Sequence, residues 1–216
     1  MNRRLVWMAG LLAIFLGPQA ARGASPEGWV KLFNGRDLQG WHLQDLRGPN
    51  GWVVQSGVYV NNPPSTDIQT DRDYYNFQLH VEFNIAFGSN AGVYLRDKYE
   101  VQILDSYGRP LNAESCGALF GRIAPTADAT RSPGTWQTFD ITFVGKRLSV
   151  RQNGVRVLSH VEVGPKGTGR ASDRPDGPGP LRLQGDHGKV SFRNVRIRPL
   201  SATEAARIQK EMEREG

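Results

Sequence analysis

A single cysteine, Cys116, stands in 216 residues, so no intrachain disulfide is available and stability must come from packing. Its surroundings, Glu114-Ser115-Cys116-Gly117, match no thiol-nucleophile context, and it reads as a small buried apolar residue. No apolar run reaches the roughly 20 residues of a bilayer span, and the mean hydropathy of -0.47 excludes a polytopic membrane protein. The chain also lacks a G-x-G-x-x-G fingerprint, a P-loop and any internal repeat. No grouping of His, Cys and Asp has metal-site spacing, and no cofactor is expected. Charge of one sign is scarcer than the formal +6 suggests. Three arginines and no acid fall in residues 1–23, which leaves 24 basic against 21 acidic residues, a net of +3. The one dense basic group, Arg193, Arg196 and Arg198, reads as a solvated strand face, so nucleic acid is not an expected partner.

What is present begins with a processing signal. Arg3 and Arg4 precede an apolar stretch over residues 5–16, Gly17-Pro18 breaks it, and Ala21-Arg22-Gly23 ends it in a small-x-small pattern. This predicts a secretory signal peptide over residues 1–23, export to the periplasm or cell exterior, and no membrane attachment after cleavage.

Beyond it, 25 Gly, 13 Pro, five Trp, six Tyr and nine Phe fit a β protein with many turns better than a helical bundle. Residues 76–87 alternate strictly, with Phe77, Leu79, Val81, Phe83 and Ile85 on one face and Gln78, His80, Glu82 and Asn84 on the other. Residues 52–54 and 58–60 read as a hairpin, 91–96 and 99–104 as a second pair, and 138–144 as a further strand. Residues 147–152 and 155–160 join through Asn153-Gly154, the strongest two-residue hairpin signal in the chain. Strands over 181–184 and 189–199 follow a Gly- and Pro-rich surface loop at 164–180. Asp71 and Asp73 beside Thr70 read as turn-capping acids. Ser201-Ala202-Thr203-Glu204 is a capping box that opens a charged helix over 201–216, poor in apolar residues and expected to dock loosely. Residues 24–200 are therefore predicted to form one all-β, antiparallel two-sheet sandwich.

Several blocks resemble the 3-keto-disaccharide hydrolase domain family in that family's own order. They are Trp29-Val30-Lys31-Leu32-Phe33-Asn34-Gly35-Arg36-Asp37-Leu38-Gln39-Gly40-Trp41, Gly51-Trp52-Val53-Val54, Asn90-Ala91-Gly92-Val93-Tyr94-Leu95-Arg96 and Tyr99-Glu100-Val101-Gln102-Ile103-Leu104-Asp105. Gly117-Ala118-Leu119-Phe120-Gly121 and Leu183-Gln184-Gly185-Asp186-His187-Gly188 continue the series. The resemblance implies a concanavalin A-like lectin/glucanase jelly roll that holds a carbohydrate on its curved sheet, and chemistry on sugars oxidised at C3. Two departures stand out. Asn90-Ala91-Gly92 replaces the family's frequent Asn-Ser-Gly, and Gly185 interrupts its Gln-Asp-His-Gly.

Strand parity gathers Tyr94, Arg96, Glu100 and Gln102 on one surface if the two strands pair. Glu100-x-Gln102-x-x-Asp105 has the spacing of the catalytic strand in endo-glucanases of this fold. However, an amide replaces the central acid, which disfavours the paired-carboxylate mechanism of a retaining glycosidase. A 3-keto sugar needs less, because its ketone acidifies the C2 hydrogen and one base starts an elimination. Candidate catalytic residues are Glu100 and His187, either one as base. Tyr94, Arg96, Gln102, Gln184, Trp52 and Asp105 are candidate substrate-binding residues, with Arg96, Gln102 and Gln184 as enolate stabilisers. A noncatalytic lectin-like domain is the competing expectation. His42 and His160 show no partner spacing.

Overall fold

The alternation over residues 77–85 organises the larger of two sheets. The computed structural model describes residues 28–168, 173 and 175–215, so the expected signal peptide over 1–23 lies outside the described residues. In chain order the strands are β1 (Val30–Lys31), β2 (Trp41–Leu43), β3 (Trp52–Gln55), β4 (Val58–Asn61), β5 (Ile68–Tyr74) and β6 (Phe77–Ile85). They continue as β7 (Asn90–Leu95), β8 (Tyr99–Leu104), β9 (Trp136–Val144), β10 (Arg147–Gln152), β11 (Val155–Glu162), β12 (Gly179–Leu183) and β13 (Val190–Pro199). A single helix, α1 (Ala202–Glu215), follows among the described residues.

The strands form an antiparallel jelly-roll sandwich. One sheet runs β11-β10-β9-β6-β13-β4-β3, with β1 added to β13, and the other runs β2-β5-β12-β7-β8. Between them lies the core. Phe77, Leu79, Val81, Phe83 and Ile85 of β6 face Ile68, Val93, Leu95, Val101, Ile103, Leu181 and Leu183 of the second sheet in one buried cluster. The Asn153-Gly154 turn has φ of 50° and 84°, both in the left-handed region that this turn needs and that Asn and Gly tolerate. Cys116 is buried, accepts a hydrogen bond from Gln152 Nε2 (3.4 Å) and has its thiol pKa pushed up to about 12 by burial.

One sequence expectation changes. Asp71 and Asp73 do not sit in a turn but on β5, which pairs with β2 on one side and β12 on the other. Hydrogen bonding to two neighbours, rather than a hydrophobic pattern, makes Ile68–Tyr74 a strand. Helix α1 docks through a small apolar face, since Ala205, Ile208 and Met212 recur every three to four residues and are buried against Val144. Its capping box forms as expected: Glu204 N donates to Ser201 Oγ (3.3 Å) and Ser201 N to Glu204 Oε2 (3.0 Å).

Candidate functional site

In the five-stranded sheet, core-facing residues alternate with a second set on the opposite face, and the register aligns that set into a row. His42 on β2 lies opposite Gln69 on β5, Gln69 opposite Arg182 on β12, Arg182 opposite Tyr94 on β7, and Tyr94 opposite Glu100 on β8. All five share one face because directly paired residues point the same way. One step along the strands, Gly92 pairs with Gln102, and Gln184 N donates to the Gly92 carbonyl (3.0 Å). Gly92 has a steric reason to be glycine: a Cβ there would overlap Glu100 Oε1. The missing side chain makes the dent that the carboxylate occupies.

Glu100 is 3% exposed. Burial raises its pKa to about 7, against the lowering effects of a hydrogen bond from Tyr94 and the charges of Arg182 and His187. Gln102, with its amide turned to satisfy its neighbours, donates to Glu100 Oε1 (3.1 Å) and to the Ala91 carbonyl (3.0 Å). Tyr94 also accepts from Gln184 Nε2 (3.4 Å), and burial foremost raises the pKa of its phenol. Arg182 stacks 3.4 Å over the centre of the Tyr94 ring. Its Nε donates to Asp97 Oδ1 (2.6 Å) and its Nη1 to Asp67 Oδ2. Burial opposes the guanidinium charge, but the two aspartates outweigh it and raise the pKa. Asp67 Oδ1 in turn accepts from Gly185 N (2.8 Å), which ties Arg182 to the 185–188 turn.

Two atoms here are buried without a partner, Arg182 Nη2 and Gln184 Oε1. A buried polar atom left unpaired costs roughly 1–3 kcal/mol, and these two belong to the same polar row as the Glu100 carboxyl, whose pKa burial raises. Two hollows, of about 430 and 860 Å³, lie away from Glu100, beside α1 and along β1 and β5. The unpaired donor, unpaired acceptor and perturbed acid, rather than empty space, make this row the candidate site.

The structure brings together Glu100, Tyr94, Gln102 and Gln184. It corrects the placement of Arg96, which sits at the β7–β8 turn with φ of 56° and not on strand parity. Its guanidinium lies between the rings of Tyr75 and Phe143, and it donates to Asp176 Oδ1 (2.9 Å) and the Gly145 carbonyl (2.9 Å). Trp52 is a core residue whose indole donates to the Thr66 carbonyl (2.8 Å). Asp105 caps the β6–β7 turn by accepting from Gly88 N (2.8 Å). His187 is exposed, paired through Nδ1 with Asp186, and acts on Glu100 through its charge rather than by contact. Sequence reasoning missed Arg182, although the alternation Leu181-Arg182-Leu183-Gln184 carried the signal. It also missed Asp67 and the partners of His42, which only the fold supplies. Among the described residues no group of His, Cys, Asp and Glu is arranged to hold a metal ion.

The sequence pattern of the family described as a 3-keto-alpha-glucoside-1,2-lyase-like domain matches residues 28–198. The chain belongs to this family. Like other 3-keto-disaccharide hydrolase domains it is a glycosyl hydrolase-like jelly roll. One solved structure similar to it, a candidate glycosyl hydrolase from Parabacteroides distasonis ATCC 8503, is 31% identical over 82% of this chain and 86% of its own, with a TM-score of 0.67. A second candidate glycosyl hydrolase from the same organism is 25% identical over 81% and 95%, with a TM-score of 0.70. The Crh5 transglycosylase, solved with NAG, shares the fold alone at 14% identity and a TM-score of 0.50, over 84% of this chain and 87% of its own. No curated protein matches the chain.

Proposed function

We propose that the protein cleaves the glycosidic bond of 3-keto disaccharides or related 3-keto glycosides by elimination followed by hydration. The observation that carries the reading is a buried carboxyl with a pKa near 7, Glu100, set beside an unpaired guanidinium nitrogen, Arg182 Nη2. Such a carboxyl is poised to take and return a proton at neutral pH, and a free, buried donor is suited to a developing enolate oxygen.

The steps are these. Glu100 removes the C2 proton, and the electron pair of that bond forms the enolate with negative charge on the C3 oxygen, which Arg182 stabilises. The enolate collapses, C1=C2 forms, and the C1–O bond breaks with its electrons on the departing oxygen. His187, with Asp186 behind it, protonates that oxygen. Water then adds at C1 and gives its proton to His187, Glu100 exchanges its proton with solvent and protonates C2, and a free 3-keto sugar results. Tyr94 and Gln102 position the carboxylate, and Gln184 Oε1 accepts a sugar hydroxyl. The central amide at Gln102, where a retaining glycosidase needs an acid, supports elimination over double displacement. The signal-peptide pattern over residues 1–23 supports an exported enzyme.

The test is incubation of the protein with 3-keto-trehalose and with trehalose in deuterated water. Turnover of the keto sugar alone, with deuterium appearing at C2 of the product, is the expected result. Cleavage without C2 exchange rejects elimination, and binding of either sugar without turnover identifies a lectin-like domain instead. Glu100→Gln should lower kcat by a factor on the order of 10² to 10⁴.

A further inference from the structure

We propose that His42, Gln69 and Asp71 form the subsite for the second, departing sugar of the substrate, an inference that rests on the proposed function and assigns residues to its leaving-group side. In a 3-keto disaccharide the second sugar hangs from C1, so it must leave the Glu100 cluster in a direction the fold leaves open. Beyond β8 that direction is closed. Gln102 N donates to the Ala118 carbonyl (3.0 Å), Phe120 N to the Glu100 carbonyl (3.1 Å) and Thr168 N to the Lys98 carbonyl (2.8 Å), so two segments cover the free edge.

Along the row the opposite holds. Glu100, Tyr94 and Arg182 are 3, 6 and 2% exposed, whereas the side chains of His42 and Asp71 are 42 and 55% exposed. Gln69 lies two strand spacings from Tyr94, roughly 10 Å at the usual separation, which is more than one pyranose ring spans.

The three side chains are locked for recognition. His42 Nδ1 and Asp71 Oδ1 are 2.7 Å apart, and Gln69 Nε2 and His42 Nε2 are 2.8 Å apart. In the tautomer with its proton on Nδ1, His42 donates to Asp71 and accepts from Gln69. The second N–H and the carbonyl oxygen of Gln69 have no partner among the described residues, and Asp71 Oδ2 adds a further acceptor. One donor and two acceptors fixed in this way match adjacent sugar hydroxyls, each of which both donates and accepts.

The experiment compares kcat/KM for 3-keto-trehalose and for methyl 3-keto-α-glucoside, which lacks the second ring. His42→Ala and Gln69→Ala should each lower the ratio of the two values by about tenfold, the effect of losing one good hydrogen bond. The methyl glycoside also reports whether a variant is folded, and Gln69→Glu provides a conservative second variant with the same expected direction. Equal losses on both compounds, or no loss on either, overturn the subsite. If the wild-type protein cleaves neither compound, the hydrolase reading fails separately. The subsite is then read from calorimetric binding, in which 3-keto-trehalose should bind more tightly than the methyl glycoside and His42→Ala should abolish the difference; absence of that difference in the wild type overturns it.

Discussion

Glu100 shows how one residue's environment sets its use. A glutamate with the same neighbours at the surface would be ionised well below neutral pH. Here burial disfavours the charged form and raises the pKa to about 7. As a base it must be ionised, so kcat/KM for a 3-keto glycoside should rise with pH through an acid limb centred near 7 and flatten above it. A profile flat from pH 5 to 8 would remove Glu100 from the role. The same shift has a stability consequence of fixed sign. Because the folded-state pKa lies above the unfolded one, Glu100 is accommodated fully below its unfolded pKa, and stability is lost as pH rises through about 7. Glu100→Gln, which stays neutral, should therefore be more stable than the wild type at pH 9 by roughly 3 kcal/mol, with little difference at pH 4. Urea denaturation at the two pH values measures this directly, and an equal effect at both would contradict the assignment.

At the scale of elements, two arginines 86 positions apart in sequence, Arg96 and Arg182, reverse the expected roles. Strand parity puts Arg96 in the site only if its strand runs through residue 96. The strand ends at Leu95, the chain turns left-handed, and the guanidinium becomes a brace between aromatic rings. Arg182, in a short strand that follows a Gly- and Pro-rich loop, takes the position opposite Tyr94. Arg96→Met should lower stability by roughly 2–4 kcal/mol, since it strands Asp176 and empties the space between Tyr75 and Phe143, and should leave kcat within a few fold. Arg182→Met should lower kcat by a factor on the order of 10² to 10³. Denaturation midpoints measured beside turnover of 3-keto-trehalose separate the two, and matching profiles would refute the distinction. Much of the hairpin framework was legible in the sequence, because alternation in β6 and the Asn153-Gly154 turn are local signals. β5 was not, since Gln69, Asp71, Arg72 and Asp73 carry no strand pattern and become extended only by pairing on both sides. The approach of Asp67 to Arg182, 115 residues later in the chain, has no local signature at all. Glu100 and Gln102 were legible because strand parity and family resemblance both pointed to them, and Gln184 because its block carries the resemblance and its amide is a donor.

At the scale of the molecule, the main core and the cluster beneath α1 are separate. The first joins both sheets, while the second comprises Val144, Ala205, Ile208 and Met212. The helix therefore rests on a small apolar patch and a capping box, and it should open locally without unfolding the sandwich. Backbone amides in α1 are expected to exchange with solvent more than tenfold faster than those of β6 and β9. Equal protection would instead show one cooperative unit.

The strand that carries Glu100 ends its sheet, and such an end would ordinarily present a row of unpaired backbone groups able to template another chain. The segments around Ala118 and Thr168 satisfy those groups from within the same molecule. Polymerisation through β8 is thereby blocked, and at high concentration any strand-to-strand growth of this protein must begin at its other margins.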